Sequence, residues 1–258
     1  MMKNLILSFT FLLMLIIPFQ GNSWGMLGHR VVGEVASKHL NEATKHKIQS
    51  ILGNQTLAEV SNWMDDIKSD EKYDSLKPWH YVTIPDGMKY SETNLNPKGD
   101  VISGINFVVN QLKRDDLDVQ LEKEYLMILV HLVGDIHQPL HVGNGKDRGG
   151  NQAKVTWFGT NSNLHRVWDS DIVDGKKYSY TELTEIINHP THEEVVSWQS
   201  DSVEDWAHQC MPFRDGIYDF ESDYGWEYKY QYAHWGTLKM QLLKGGVRLA
   251  GILNEIYG

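Results

Sequence analysis

YLMILVHLVGDI, residues 125–136, is the stretch on which the fold turns. It is apolar on almost every side, so it reads as a helix at the centre of the molecule, ended by Pro139. Within it His131 and Asp135 stand four residues apart and share one helix face, while their neighbours are Leu, Val and Ile. Burying a carboxylate is costly unless a proton, a salt bridge or a metal neutralises it. A structural His–Asp hydrogen bond would serve, and so would a metal ion. Six residues past Asp135, beyond the helix end, stands His141. Imidazole and carboxylate then reach the density at which zinc binds when thiolates are lacking. His137, two residues from Asp135, faces away and is expected in the core or behind the ligands.

The same pattern extends outward. His165 and Asp169, in NLHRVWD at 163–169, again have the spacing of one helix face. His29, Asp65 and His80 sit singly in aromatic or apolar surroundings, the last two in WMD (63–65) and PWHY (78–81), where an indole helps to exclude water. Asp65 taken alone also fits a helix or turn cap. Helical spacing recurs in Val31, Val32, Val35, Ala36 and Leu40, in Ile105, Val108, Val109 and Leu112, and in Leu242, Leu249, Ile252, Leu253 and Ile256. Strand signal is confined to residues 154–158. Loops are expected at 85–100, at the Gly-rich 142–151 and at 210–224.

With 258 residues and 41% hydrophobic content, the chain suits one domain with a sizeable core. Lys3, the apolar run 5–19 and the small residues Gly21 and Ser23 read as a secretory signal, cleaved after Ser23 to leave Trp24 first. That run is short for a bilayer span of roughly 20 residues, and no later segment is long and apolar enough, so no membrane anchor is expected after processing. Cys210 is the one cysteine, which excludes an intrachain disulfide and leaves bound metal as a candidate stabiliser. The formal net charge of −10 argues against binding nucleic acid through a basic face. Bound divalent cations would invert that logic at one spot.

Taken in order, WGMLGH (24–29), WMD (63–65), HY (80–81), HLVGDIHQPLH (131–141), GGN (149–151) and NLHRVWD (163–169) closely resemble the S1/P1 nuclease family of zinc-dependent endonucleases. The resemblance implies a mainly α, single-domain fold of the phospholipase C/P1 nuclease type with a small β-hairpin, formed by residues 24–258. It implies three zinc ions. One would be held by Asp65, His80, His131 and Asp135, a neighbour by Trp24, His29 and Asp135, and the third by His141, His165 and Asp169. Trp24 would bind through its freed α-amine and its carbonyl, and Asp135 would bridge. The lone cysteine makes the chain look like a bacterial-type member, since the eukaryotic members use disulfides.

The implied chemistry is hydrolysis of single-stranded DNA and RNA to 5′-phosphate products, with 3′-nucleotides as further substrates and no stable protein partner. A metal-activated water would attack phosphorus in line, with Asp65 orienting it and Lys68 stabilising phosphoryl charge. Tyr81 would stack a splayed base and Asn151 would bond Asp65 or the substrate. Zinc phospholipase C resembles the same fold and is the nearest rival. Against it stand the short interval from Trp24 to His29, and Asp169 where that family carries glutamate. A non-catalytic exported zinc-binding protein is the rival from another class, although such proteins gather histidine in flexible tracts.

Overall fold

A computed structural model describes residues 24–220 and 225–258; the leader read in residues 1–23 lies outside the described residues. The central helix, Val119–Ile136, starts where the Asp118 side chain accepts from the N–H groups of Gln120 and Leu121, and every residue from Leu126 to Ile136 is buried. Each of its large aliphatic side chains contributes about 1.5–3 kcal/mol on burial. That surplus is what permits His131 and Asp135 among them. The helix stops at Ile136, three residues before Pro139, which instead opens a 3-10 turn at Pro139–His141.

Around the central helix pack Met26–His39, Val101–Leu112 and the C-terminal helix Trp226–Tyr257. Glycines let the first of these come close to its neighbours. A Cβ at Gly33 would stand 2.7 Å from Leu57 O, and one at Gly246 would stand 2.9 Å from Val32 O. The fold is therefore mainly helical, as the sequence predicts.

Two small pieces of sheet position the site. β1 (Val82–Thr83) and β2 (Val142–Gly143) pair in parallel, Val82 beside Val142, which sets His80 next to His141 across 61 residues of chain. β3 (Lys154–Trp157) and β4 (Thr160–Asn163) form the hairpin, with Phe158 at φ 45° and Gly159 at φ 80° in the two turn positions that demand left-handed backbone. Strand structure thus extends beyond 154–158, because polar TNSN (160–163) pairs through its backbone. The expected loop 210–224 also contains a helix, Phe213–Tyr218, ordered by Arg214, whose buried guanidinium donates to Ile84 O and Val142 O.

Candidate metal centre

Asp135 is fully buried, and its two oxygens face different groups. Oδ2 lies 2.8 Å from His80 Nδ1 and 3.2 Å from His131 Nε2, while Oδ1 lies 3.4 Å from His29 Nε2 and 3.3 Å from His141 Nδ1. Asp65 Oδ1 completes the first group at 3.6 Å from His131 Nε2 and 4.0 Å from His80 Nδ1. Beside it, Asp169 meets His141 Nε2 at 3.4 Å and His165 Nε2 at 3.1 Å. Three groups therefore present converging ligand atoms: Asp65, His80 and His131; His29, His131 and Asp135; His141, His165 and Asp169.

Backbone carbonyls fix how the rings face. His131 Nδ1 bonds Ser61 O at 2.7 Å, His141 Nδ1 bonds His80 O at 2.7 Å, and His165 Nδ1 bonds Gly149 O at 2.6 Å. A neutral imidazole that donates through Nδ1 carries a lone pair on Nε2, the tautomer a metal ligand needs. The Nε2 atoms of His141 and His165, buried and without a hydrogen-bond partner, then point lone pairs at carboxylate oxygens of Asp169. Acceptor facing acceptor in a dry interior is unfavourable unless a cation lies between them. Ligands about 2.05 Å from a tetrahedral zinc are roughly 3.3 Å apart. The 3.1 and 3.4 Å separations match that spacing, so these residues fit zinc.

Electrostatics agree with a cation cradle. Burial would raise the carboxyl of Asp135, but His131 and His141 overcome it and hold it well below the ordinary carboxylate value. Burial is likewise outweighed at Asp169, chiefly by His165. Burial pushes His80 down to about 4; burial first, and then repulsion from the His131 ring, lowers His29. Burial is the largest single influence at His131 and His141, but the combined pull of Asp135 and Asp65 on the first, and of Asp135 and Asp169 on the second, outweighs it, so both lie above the usual imidazole value. Among the described residues no lysine or arginine pairs with Asp135 or Asp169.

The helix that carries His165 and Asp169 is not uniform: Leu164–Arg166 is α, Val167–Asp171 is a π turn, and Ile172–Gly175 is α again. π turns concentrate at functional sites. Gly25 N donates to Asp169 O at 2.8 Å, which anchors the start of the described chain beside this group, and Trp24 is fully buried over Gly28. His137 lies in the core, donating to Val133 O and accepting from Arg248. Trp79 donates its indole N–H to Lys98 O and packs on Gly104 and Phe107.

Lys68 Nζ lies 2.5 Å from Asp65 Oδ1. Tyr81, 47% exposed, and Asn151 line a cleft of about 390 Å³ together with Thr83, His141, Arg148 and His165. Asn151 donates to Arg148 O at 3.0 Å. Sequence reasoning missed two supports. Gln138 donates to Asp169 Oδ1 at 2.5 Å while its carbonyl takes Leu140 N, a role legible only as a buried amide inside the HQPLH run. Gly134 leaves room for His29: a Cβ there would stand 2.6 Å from His29 Nδ1.

Comparison with known proteins gives this geometry its relatives. The family model described as S1/P1 Nuclease matches residues 24–258. The chain is 32% identical to Endonuclease 3 of Arabidopsis thaliana over 267 residues, which cover 91% of this chain and 89% of that protein. It is 26% identical to Nuclease P1 of Penicillium citrinum over 269 residues, 91% of this chain and 98% of that protein. With Nuclease S1 of Aspergillus oryzae it shares 32% identity over 167 residues, 61% of this chain and 57% of that one.

Proposed function

The chain belongs to the S1/P1 nuclease family, and from that premise we propose an exported, zinc-dependent endonuclease that cuts single-stranded DNA and RNA to 5′-phosphate products and also acts on 3′-nucleotides. One observation carries this reading: three nitrogen–oxygen clusters converge around Asp135, beside a cleft with an exposed aromatic at its rim. Three zinc ions would be held by Asp65, His80, His131 and Asp135, by His29, Asp135 and the main chain of Trp24, and by His141, His165 and Asp169. Zinc supplies Lewis acidity at phosphoryl oxygens and makes water acidic near neutral pH.

The protein's own groups do the rest. Asp65, fixed beside Lys68, accepts a hydrogen bond from the attacking water and holds it in line with the bond that breaks. Lys68 lends its ammonium to the negative charge on the phosphoryl oxygens. Tyr81 offers a ring on which an unpaired base can stack, a contact that a base inside a duplex does not reach. Asn151 donates a hydrogen bond from the Gly-rich loop to the bound substrate.

Export and processing belong to the same proposal. The family match begins at Trp24, which supports cleavage after Ser23, and the freed α-amine would then serve as a ligand. Among the described residues no helix is long and apolar enough to cross a membrane. The test is direct: the protein beginning at Trp24 is given single-stranded DNA, RNA, duplex DNA and phosphatidylcholine vesicles. Faster release of 5′-phosphate ends from single strands than from duplex is the expected result. Hydrolysis of the lipid with the single strands left intact would overturn the reading.

A further inference from the structure

Arg148 stands out in the loop between the metal clusters and solvent. Its φ of 59° lies in the left-handed region, which suits glycine, asparagine or aspartate and which an arginine rarely adopts. Gly149 and Gly150 follow at 60° and 82°, so the chain is coiled left-handed over three consecutive residues. The loop is pinned while it holds this shape. Asp147 Oδ1 accepts from Gly150 N at 2.8 Å and from Tyr218 Oη at 2.9 Å, Arg148 O accepts from Asn151, and Gly149 O accepts from His165. An unfavourable conformation held by surrounding bonds is a reason to look for a function.

The side chain gives the second reason. Of the six arginines, Arg114, Arg166, Arg214 and Arg248 each pair with an aspartate, as expected in a chain with 34 acidic and 24 basic residues; Arg30 and Arg148 show no such pair among the described residues, and of these two only Arg148 lines the cleft. Arg148 is exposed, and its guanidinium has no carboxylate or carbonyl partner among the described residues. It is also the one lysine or arginine among the residues lining the cleft. It shares that cleft with Tyr81, Asn151, His141 and His165, on the side of the third metal group, whereas Lys68 is engaged with Asp65 in the first. A guanidinium is a planar fork that matches phosphate geometry, and backbone phosphates supply much of the affinity of any nucleic-acid site.

We propose that Arg148 binds a non-scissile phosphate of the single-stranded substrate, next along the chain from the phosphate being cut, and so makes the enzyme favour oligonucleotides over minimal substrates. This rests on the nuclease reading above. It is separable from it, because the comparison below uses only an enzyme whose wild type cleaves.

Arg148→Gly removes the guanidinium while suiting the backbone, so a folding defect does not confuse the result; Arg148→Lys keeps the charge but loses the fork. Steady-state kinetics are measured on a single-stranded hexanucleotide and on a dinucleoside monophosphate, whose one phosphate is the scissile one. For Arg148→Gly the expected result is a rise of about tenfold in KM on the hexanucleotide, with kcat little changed and less than about twofold change on the dinucleotide. Arg148→Lys should fall between. The fall of log(kcat/KM) with log salt should become shallower by about 0.7 for the hexanucleotide. Equal losses on both substrates, no loss on either, or a loss that leaves the salt slope unchanged would each overturn the assignment. A wild-type protein that cleaves neither substrate would instead overturn the nuclease reading itself.

Discussion

Gly134 precedes the buried Asp135 inside a helix, where an alanine would ordinarily stabilise by up to about 1 kcal/mol. A methyl there would instead press on the His29 ring, which stacks on His131 at 3.9 Å between centroids. Gly134→Ala is therefore expected to leave the metal-free protein folded but to displace His29. One equivalent of zinc should be lost by elemental analysis, and activity should fall roughly 10- to 100-fold, the range seen when a ligand loses its orientation. Full metal content in the variant would show that the ring accommodates the methyl. At this scale the pairing of His131 with Asp135 and of His165 with Asp169 was legible, because their spacing is written in the helix period. The carbonyls of Ser61, His80 and Gly149 that set the tautomers were not, since main-chain oxygens carry no residue signature and meet their imidazoles only in the folded chain.

Between elements, close approach of backbones does what spacing cannot reveal. The C-terminal helix supplies none of the proposed ligands, yet it braces Met26–His39 at Gly246, where a Cβ would meet Val32 O at 2.9 Å and the Val35 side chain closer still. Overpacking of this kind costs about 1–3 kcal/mol, against a gain of up to about 1 kcal/mol from helix propensity. After the full propensity gain the net loss is up to about 2 kcal/mol, so Gly246→Ala is expected to lower Tm by up to roughly 8 °C, at about 2–4 °C per kcal/mol for a domain of this size. Gly236, in the same helix, has nothing within 4 Å of its would-be Cβ, so Gly236→Ala should raise Tm slightly. Thermal unfolding of both variants checks the pair, and a common sign would contradict the packing argument. The long helices were legible from their apolar stripes. Phe213–Tyr218 was not, because it is one short turn held by Arg214, a residue that reads as surface but is buried against Ile84 O and Val142 O. The π turn at Val167–Asp171 was also invisible, since His165 and Asp169 meet equally well in the uniform α-helix that the spacing suggests.

Across the whole molecule the site draws side chains from His29 to Asp169 and nothing covalent ties them together, because the one cysteine, Cys210, is buried and free. Their convergence was legible in the sequence only through the family resemblance; no spacing argument brings His29, Asp65 and His165 into one place. What holds them must offset two buried carboxylates and several inward lone pairs, and a cation that bound the folded chain alone would do so. Such a ligand adds about 4 kcal/mol per site when its free concentration is a thousand times its Kd. At about 2–4 °C per kcal/mol, stripping even one site should lower Tm by roughly 8–16 °C, and stripping all three proposed sites by more. Calorimetry with and without a strong chelator checks this, and zinc should restore the transition in proportion to the metal added, up to the three equivalents proposed. Magnesium and calcium should not, because they favour all-oxygen shells over imidazole. A transition that ignores the chelator, in protein shown by elemental analysis to have lost its metal, would mean that the clusters are stable without a cation, and the zinc assignment would fail whatever the activity.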